Sequence, residues 1–287
     1  MTALARSTLL GRRPRRRRQK PLRALREPRA EQLRYTAALR RVVARTVALV
    51  RAELLPRLPA LVNEAASMAP RTDGLRLDDV AEQLGEIIEA IMAALNLSEP
   101  AARRMALEML ERVQRGHADA FVTAYEDSLA VNPLAGAEPW LREQMALAVK
   151  ENARLIQSLP EQLLTQVEGA VSRGALEGLR HEDIAKELIE RFGVAESRAA
   201  LIARDQTLKW HGSLTRLRQL DAGVTEYEWS TSRDERVRKT HRVRDGKRYK
   251  WGQFPEPGQE VNCRCAAIPV IPDEEAEEVE AYGVEAR

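Results

Sequence analysis

The chain has 287 residues, 44% hydrophobic and 31% charged, with a formal net charge of +3. No apolar run approaches the ~20 residues of a membrane span, and two cysteines exclude a disulfide framework. At roughly 150 residues per domain the length suggests two domains. Aromatics make up only 4%, so Leu, Val, Ile and Ala must build most of the core.

The small net charge hides an asymmetry. Residues 1–30 hold eleven basic residues and one acid, whereas residues 273–287 hold seven acids and one Arg. Arg12, Arg13, Arg15, Arg16, Arg17, Arg18 and Lys20 form a run without apolar spacing. Like charges repel, and nothing there offsets ordering entropy, so a disordered basic arm is expected over 1–30. No apolar stretch follows the arginines, which argues against an export signal. Such a cluster suits salt-dependent contact with double-stranded DNA, or docking on an acidic protein. The acidic end, 273–287, reads as a solvated tail.

Residues 31–195 read as a helical body. Leu39, Val42, Val43, Thr46, Val47, Leu49 and Val50 share one helix face, which Pro56 and Pro59 are expected to break. Leu84, Ile87, Ile88, Ile91 and Leu95 mark the next helix. Ser98 suits an N-cap, with Pro100 in the first turn, before a helix carrying Met105, Met109, Leu110, Val113, Phe121 and Tyr125. Met105 and Met109 read as core. Asn132-Pro133 and Gly136 mark a loop. A fourth helix begins near Glu138-Pro139 with Leu141, Met145, Leu147 and Leu155, is interrupted at Pro160, and continues through Leu163, Val167 and Val171. His117 and His181 stand alone, without a partner at metal-ligand spacing. The segment from His181 to Gly193 reads as a short helix stopped by Gly193, and a second helix runs from about Ala199 to Asp221. That second helix is too long and continuous for a helix-turn-helix reader.

Residues 196–272 differ in composition. Six of the twelve aromatics fall between 210 and 254, and residues 204–250 hold thirteen basic residues against seven acids. Thr225, Tyr227, Trp229 and Thr231 alternate with polar residues, as in a strand with one buried face. Ser232 and Glu235 have capping-box spacing ahead of a short helix from Val237 to His241. Asp245-Gly246 signals a tight turn. Strands are expected over Lys247–Trp251 and Cys263–Ile271. The expected architecture is a mainly α N-terminal body, then a small α+β C-terminal module, flanked by disordered basic and acidic tails.

An ordered set of residues then carries a resemblance. Arg204-Asp205-Gln206-Thr207 is followed by Gly223 through Trp229, then Ser232-Arg233-Asp234 with Arg238 and His241. Asp245-Gly246, Pro257-Gly258 and Asn262-Cys263-Arg264-Cys265 complete it. Over about residues 180–272 the chain resembles the carboxy-terminal domain of the phage Mu F-like minor head proteins, the phage head morphogenesis family. The resemblance implies a minor capsid protein bound to the portal, to capsid or scaffold proteins, and in some cases to packaged DNA, with no membrane partner. It would act in the host cytoplasm during assembly and then inside the virion head near the portal. The family often places a His ahead of the Cys-Arg-Cys segment; here Phe254 to Asn262 contains none.

Asp234, Arg238, His241, Gly246, Cys263, Arg264 and Cys265 are the module's motif residues. Asp234, Arg238 and His241 would share one face of a short helix. On a strand, Cys263 and Cys265 would point the same way with Cβ atoms ~7 Å apart, too far for a disulfide. One reading is a zinc site of His241, Cys263, Cys265 and Asp234. The favoured reading is a buried polar knot with the thiols as small hydrophobes, no cofactor and no catalytic residues. The functional alternative to a virion protein is a zinc-dependent hydrolase or toxin-like transferase acting in the host.

Overall fold

A computed structural model describes residues 21–66, 75–134, 136–253 and 255–271. The arginine run from Arg12 to Lys20, the acidic tail 273–287 and Phe254 lie outside the described residues. The helices are α1 (Arg29–Leu49), α2 (Leu58–Ala66), α3 (Leu75–Leu95), α4 (Glu99–Leu129), α5 (Leu141–Leu176), α6 (His181–Asp221) and the short α7 (Lys239–Arg242). Three strands, β1 (Glu226–Ser230), β2 (Arg248–Lys250) and β3 (Ala266–Val270), form a sheet in the order β2-β1-β3. A mainly helical body is thus followed by a small α+β module. No described helix is long and apolar enough to cross a membrane.

The chain divides into two compact units, and α1, α4, α5 and α6 contribute residues to both. One unit comprises Gln32–Glu108 and Leu147–Arg204. Its core is aliphatic: Leu39, Val43, Val50 and Leu54 from the first helical stretch, Leu84 and Ile91 from α3, Ile156, Val167 and Val171 from α5, and Ile184 and Leu188 from α6. The buried Tyr35 hydroxyl donates to Asn152 Oδ1 at 3.1 Å, so the polar atoms of this pair are satisfied together.

Several sequence expectations meet a different outcome here. A π-helical turn, Val50–Leu54, ends the first helical stretch before Pro56, while Pro59 sits in the first turn of α2, where a missing N–H costs nothing. Pro160 does not interrupt α5, which stays helical from Leu141 to Leu176. Ile156, Leu159, Leu163 and Leu164 are buried on both sides of the proline, and this packing outweighs the lost hydrogen bond. Leu147 is 58% exposed; the buried stripe of α5 begins instead at Val149, Asn152 and Ala153. Gly193 is no stop, since α6 continues through it. Phe192, Ala195 and Ala199 keep the buried face intact across it. Other expectations hold. Ser98 Oγ accepts from Ala101 N at 3.4 Å as the cap of α4, and Met109 is buried.

Among the described residues, the second unit comprises 21–31, Met109–Ala146 and 205–271. Residues 21–28 carry no regular element. Gly223, at φ +85°, closes α6: Val224 N bonds Gln219 O at 2.8 Å, a left-handed cap that glycine adopts without a Cβ penalty. The chain then enters β1, which pairs antiparallel with both neighbours, Tyr227 opposite Tyr249 and Pro269. Tyr227 and Trp229 are fully buried, and their core continues into Cys263, Cys265 and Ala267. Thr225, expected on the buried face, lies outside the strand and is exposed.

Candidate functional site

The C-terminal half of α6 positions the module. Asp205, Lys209, Gly212, Arg216 and Gln219 recur every three or four residues, so they line one stripe of the helix. Asp205 Oδ1 accepts from the backbone N–H of Asn262 at 2.9 Å, and Lys209 Nζ sits 2.9 Å from Oδ2. At Gly212 a Cβ would meet Pro257 O at 3.2 Å, so glycine lets the loop backbone lie closer than a side chain would leave it. Arg216 pairs with Glu256 at 3.2 Å, and the same carboxylate accepts from Gly252 N. Gln219 Nε2 donates to Ala267 O at 3.2 Å while its Oε1 accepts from Trp251 Nε1 at 3.2 Å. The stripe thereby fastens the loop leading into Cys263 as well as strand β3.

That loop delivers both thiols to one imidazole. The sulfurs of Cys263 and Cys265 each lie 3.5 Å from Nδ1 of His241. The nitrogen and the two sulfurs all fall within 4.8 Å of one another, and all three side chains are buried. The Cys265 thiol donates to the Cys263 sulfur, which holds the Cys263 thiol below its usual range despite burial. The same contact, reinforced by burial, pushes the Cys265 thiol well up. On the far side of the ring, Nε2 lies 3.1 Å from Glu260 Oε2. Trp229 meets the imidazole edge-on, with centroids 5.2 Å apart, and fixes its plane. These three are the described residues grouped closely enough to hold a metal ion.

The other motif residues serve around this cluster. Asp234 is not with the thiols: its carboxylate pairs with Arg264 and accepts from Arg236 N. Burial works against its charge, but the Arg264 guanidinium and the Arg236 N–H hold its carboxyl below the usual range. Ser232 and Glu235 form no capping box, because α7 starts only at Lys239 and its N-cap, Arg238, makes no side-chain cap bond. Asp234, Arg238 and His241 therefore do not share a helix face; only His241 is helical. Arg238 instead donates to Val261 O at 2.7 Å and sits 3.5 Å from Glu260. Cys263 and Cys265 precede β3 rather than lie in it, since pairing ends at Ser230 opposite Ala266. Beyond Ser230 the chain is drawn away: Asp245 accepts from the Thr231 N–H at 2.7 Å and from its hydroxyl at 3.1 Å. Those bonds, the backbone one foremost, hold the Asp245 carboxyl below its usual range. Gly246 follows at φ +75° and leads into β2.

Two groups escaped the sequence. Glu260 carries no motif signal, and its place beside His241 depends on the loop. His117, which reads as solitary, belongs to a buried knot with Arg218. Arg218 is wholly buried and donates from Nε and Nη2 to both oxygens of Glu138 at 2.7 and 2.9 Å. Its Nη1 sits 2.8 Å from His117 Nδ1. A guanidinium can only donate, so Nδ1 must accept and the proton of His117 sits on Nε2, 2.8 Å from Thr215 Oγ1. Sequence separations of 80 and 101 residues hid these partners. The α6 stripe was the one available signal, visible as a 3.6-residue recurrence of Asp, Lys, Gly, Arg and Gln.

Residues 165–268 match the family described as Phage Mu protein F like protein. The matched segment contains α6, β1, β2, the thiol–imidazole cluster and most of β3. The C-terminal region is therefore Mu F-like, as its ordered residues implied. An uncharacterized protein of Haemophilus influenzae strain Rd is 36% identical over 141 residues, which cover 48% of this chain and 32% of that protein. The match thus spans about a third of the relative's length. No solved structure matches the chain.

Proposed function

We propose that this chain is a phage head-morphogenesis protein, a minor capsid component that works by binding rather than by catalysis. The observation that carries the reading is the Mu F-like match over 165–268. In that segment most of the polar stripe on α6 is spent on fastening the module. The partners proposed are the portal and the capsid or scaffold proteins, met in the host cytoplasm during assembly and retained in the head near the portal. The arginine run from Arg12 to Lys20 would add salt-dependent contact with double-stranded DNA.

Co-expression with the portal and capsid genes of the same genome tests this. The chain should co-purify with portal or proheads, and particles made without it should lose infectivity. Normal infectivity after clean deletion, together with absence of the protein from purified particles, would overturn the reading. A hydrolytic or transferase activity of the purified chain that His241→Ala abolishes with folding intact would favour the enzyme alternative.

A further inference from the structure

We infer that His241, Cys263 and Cys265 bind a zinc ion. The inference does not rest on the head-assembly reading.

Geometry carries it first. A tetrahedral zinc with Zn–N of about 2.0–2.1 Å and Zn–S of about 2.3 Å holds a nitrogen and a sulfur about 3.6 Å apart. Both sulfurs stand 3.5 Å from Nδ1. Neutral imidazole has one acceptor lone pair for the two sulfurs that stand at equal distance from Nδ1, so only one thiol at a time can donate to it. One cation between them satisfies all three atoms.

The surroundings agree. A metal-bound His commonly turns its other ring nitrogen towards a carboxylate, which fixes the tautomer and strengthens the ligand. Here Nε2 is buried without a hydrogen-bond partner and 3.1 Å from Glu260 Oε2, which stands beside it but out of line for a hydrogen bond, and Arg238 holds that carboxylate at 3.5 Å. The soft donor pair of thiolates with an imidazole selects zinc over magnesium or calcium. The backbone is braced before any metal arrives, because Asp205 anchors Asn262, the residue before Cys263. Both cysteines also line a cavity of about 480 Å³ beside Thr231 and Ser232. We assign the fourth coordination position to a water entering from that cavity. Asp234, committed to Arg264, is not a ligand.

The test uses the full chain, purified reduced and without added metal. Elemental analysis should find one zinc per chain. Replacing zinc by cobalt should produce a thiolate-to-metal charge-transfer band with the visible bands of a tetrahedral site, and added cyanide should shift the visible bands by displacing the water. Cys263→Ser, Cys265→Ser and His241→Ala should each lose the metal. Asp234→Asn should keep it, and Glu260→Gln should weaken it by roughly 10–100-fold. Wild-type chain that is fully helical by circular dichroism, yet takes up neither stoichiometric zinc nor cobalt with a charge-transfer band, overturns the proposal. So does a metal that Cys263→Ser and Cys265→Ser both retain.

Discussion

Burying Arg218 commits its neighbours to one protonation state. His117 must stay neutral to accept from the guanidinium, and burial, then the charges of His211 and Arg218, depress its pKa well below the usual imidazole value. His211, 4.8 Å from His117 between ring centroids, is lowered to about 4, chiefly by burial. The unfolded chain binds protons at these two residues near pH 6.5, while in the folded chain His211 does not until about 4 and His117 only well below the ordinary imidazole value. Between those values the unfolded state holds more protons, so stability rises with pH and falls as the solution is acidified. Denaturation midpoints measured from pH 7.5 to 4.5 should therefore decline steadily below about 6.5. Replacing His117 by Gln should flatten the decline, and an unchanged slope in that variant would show that the pair does not titrate this way. None of this was legible from the residue itself. A lone His in a helical pattern says nothing of a partner 101 positions away.

At the level of elements, helical periodicity disclosed which segments are helical but misread their punctuation. Pro160 and Gly193 are breakers by propensity, yet both lie inside long helices because tertiary packing overrides propensity. Alternation in β1 located the buried Tyr227 and Trp229, and the same alternation carried Cys263 and Cys265 to one side even outside the strand. What alternation cannot disclose is the loop path that brings His241 to them. Gly193 offers a direct check. A Cβ there would meet nothing within 4 Å, and its backbone is helical. Gly193→Ala should therefore stabilise the chain by about 0.5–1 kcal/mol in urea unfolding. A glycine acting as a left-handed helix stop would give the opposite sign.

For the whole molecule, charge segregation is the feature most readily read from sequence, and it concerns the ends. The basic residues of 1–30, eight of the eleven within 1–20, should supply most of any nucleic-acid affinity. Deleting residues 1–20 should weaken binding to duplexes of unrelated sequence to a similar degree. It should also reduce the slope of log affinity against log salt by several units, since each neutralised phosphate contributes roughly 0.9. Equal slopes for intact and shortened chains, measured by anisotropy, would remove DNA from the arm's role.

The stripe on α6 has a consequence for how such a chain can vary. Its anchors at Asp205, Lys209, Gly212, Arg216 and Gln219 hold their targets only while they keep a common azimuth. A single inserted or deleted residue between them rotates everything downstream by about 100°. The later anchors would swing away from the loop and from β3 together, whatever their identity. Length, more than composition, is thus the rigid property of this stretch, and divergent versions should differ by substitution within it and by insertion only beyond its ends.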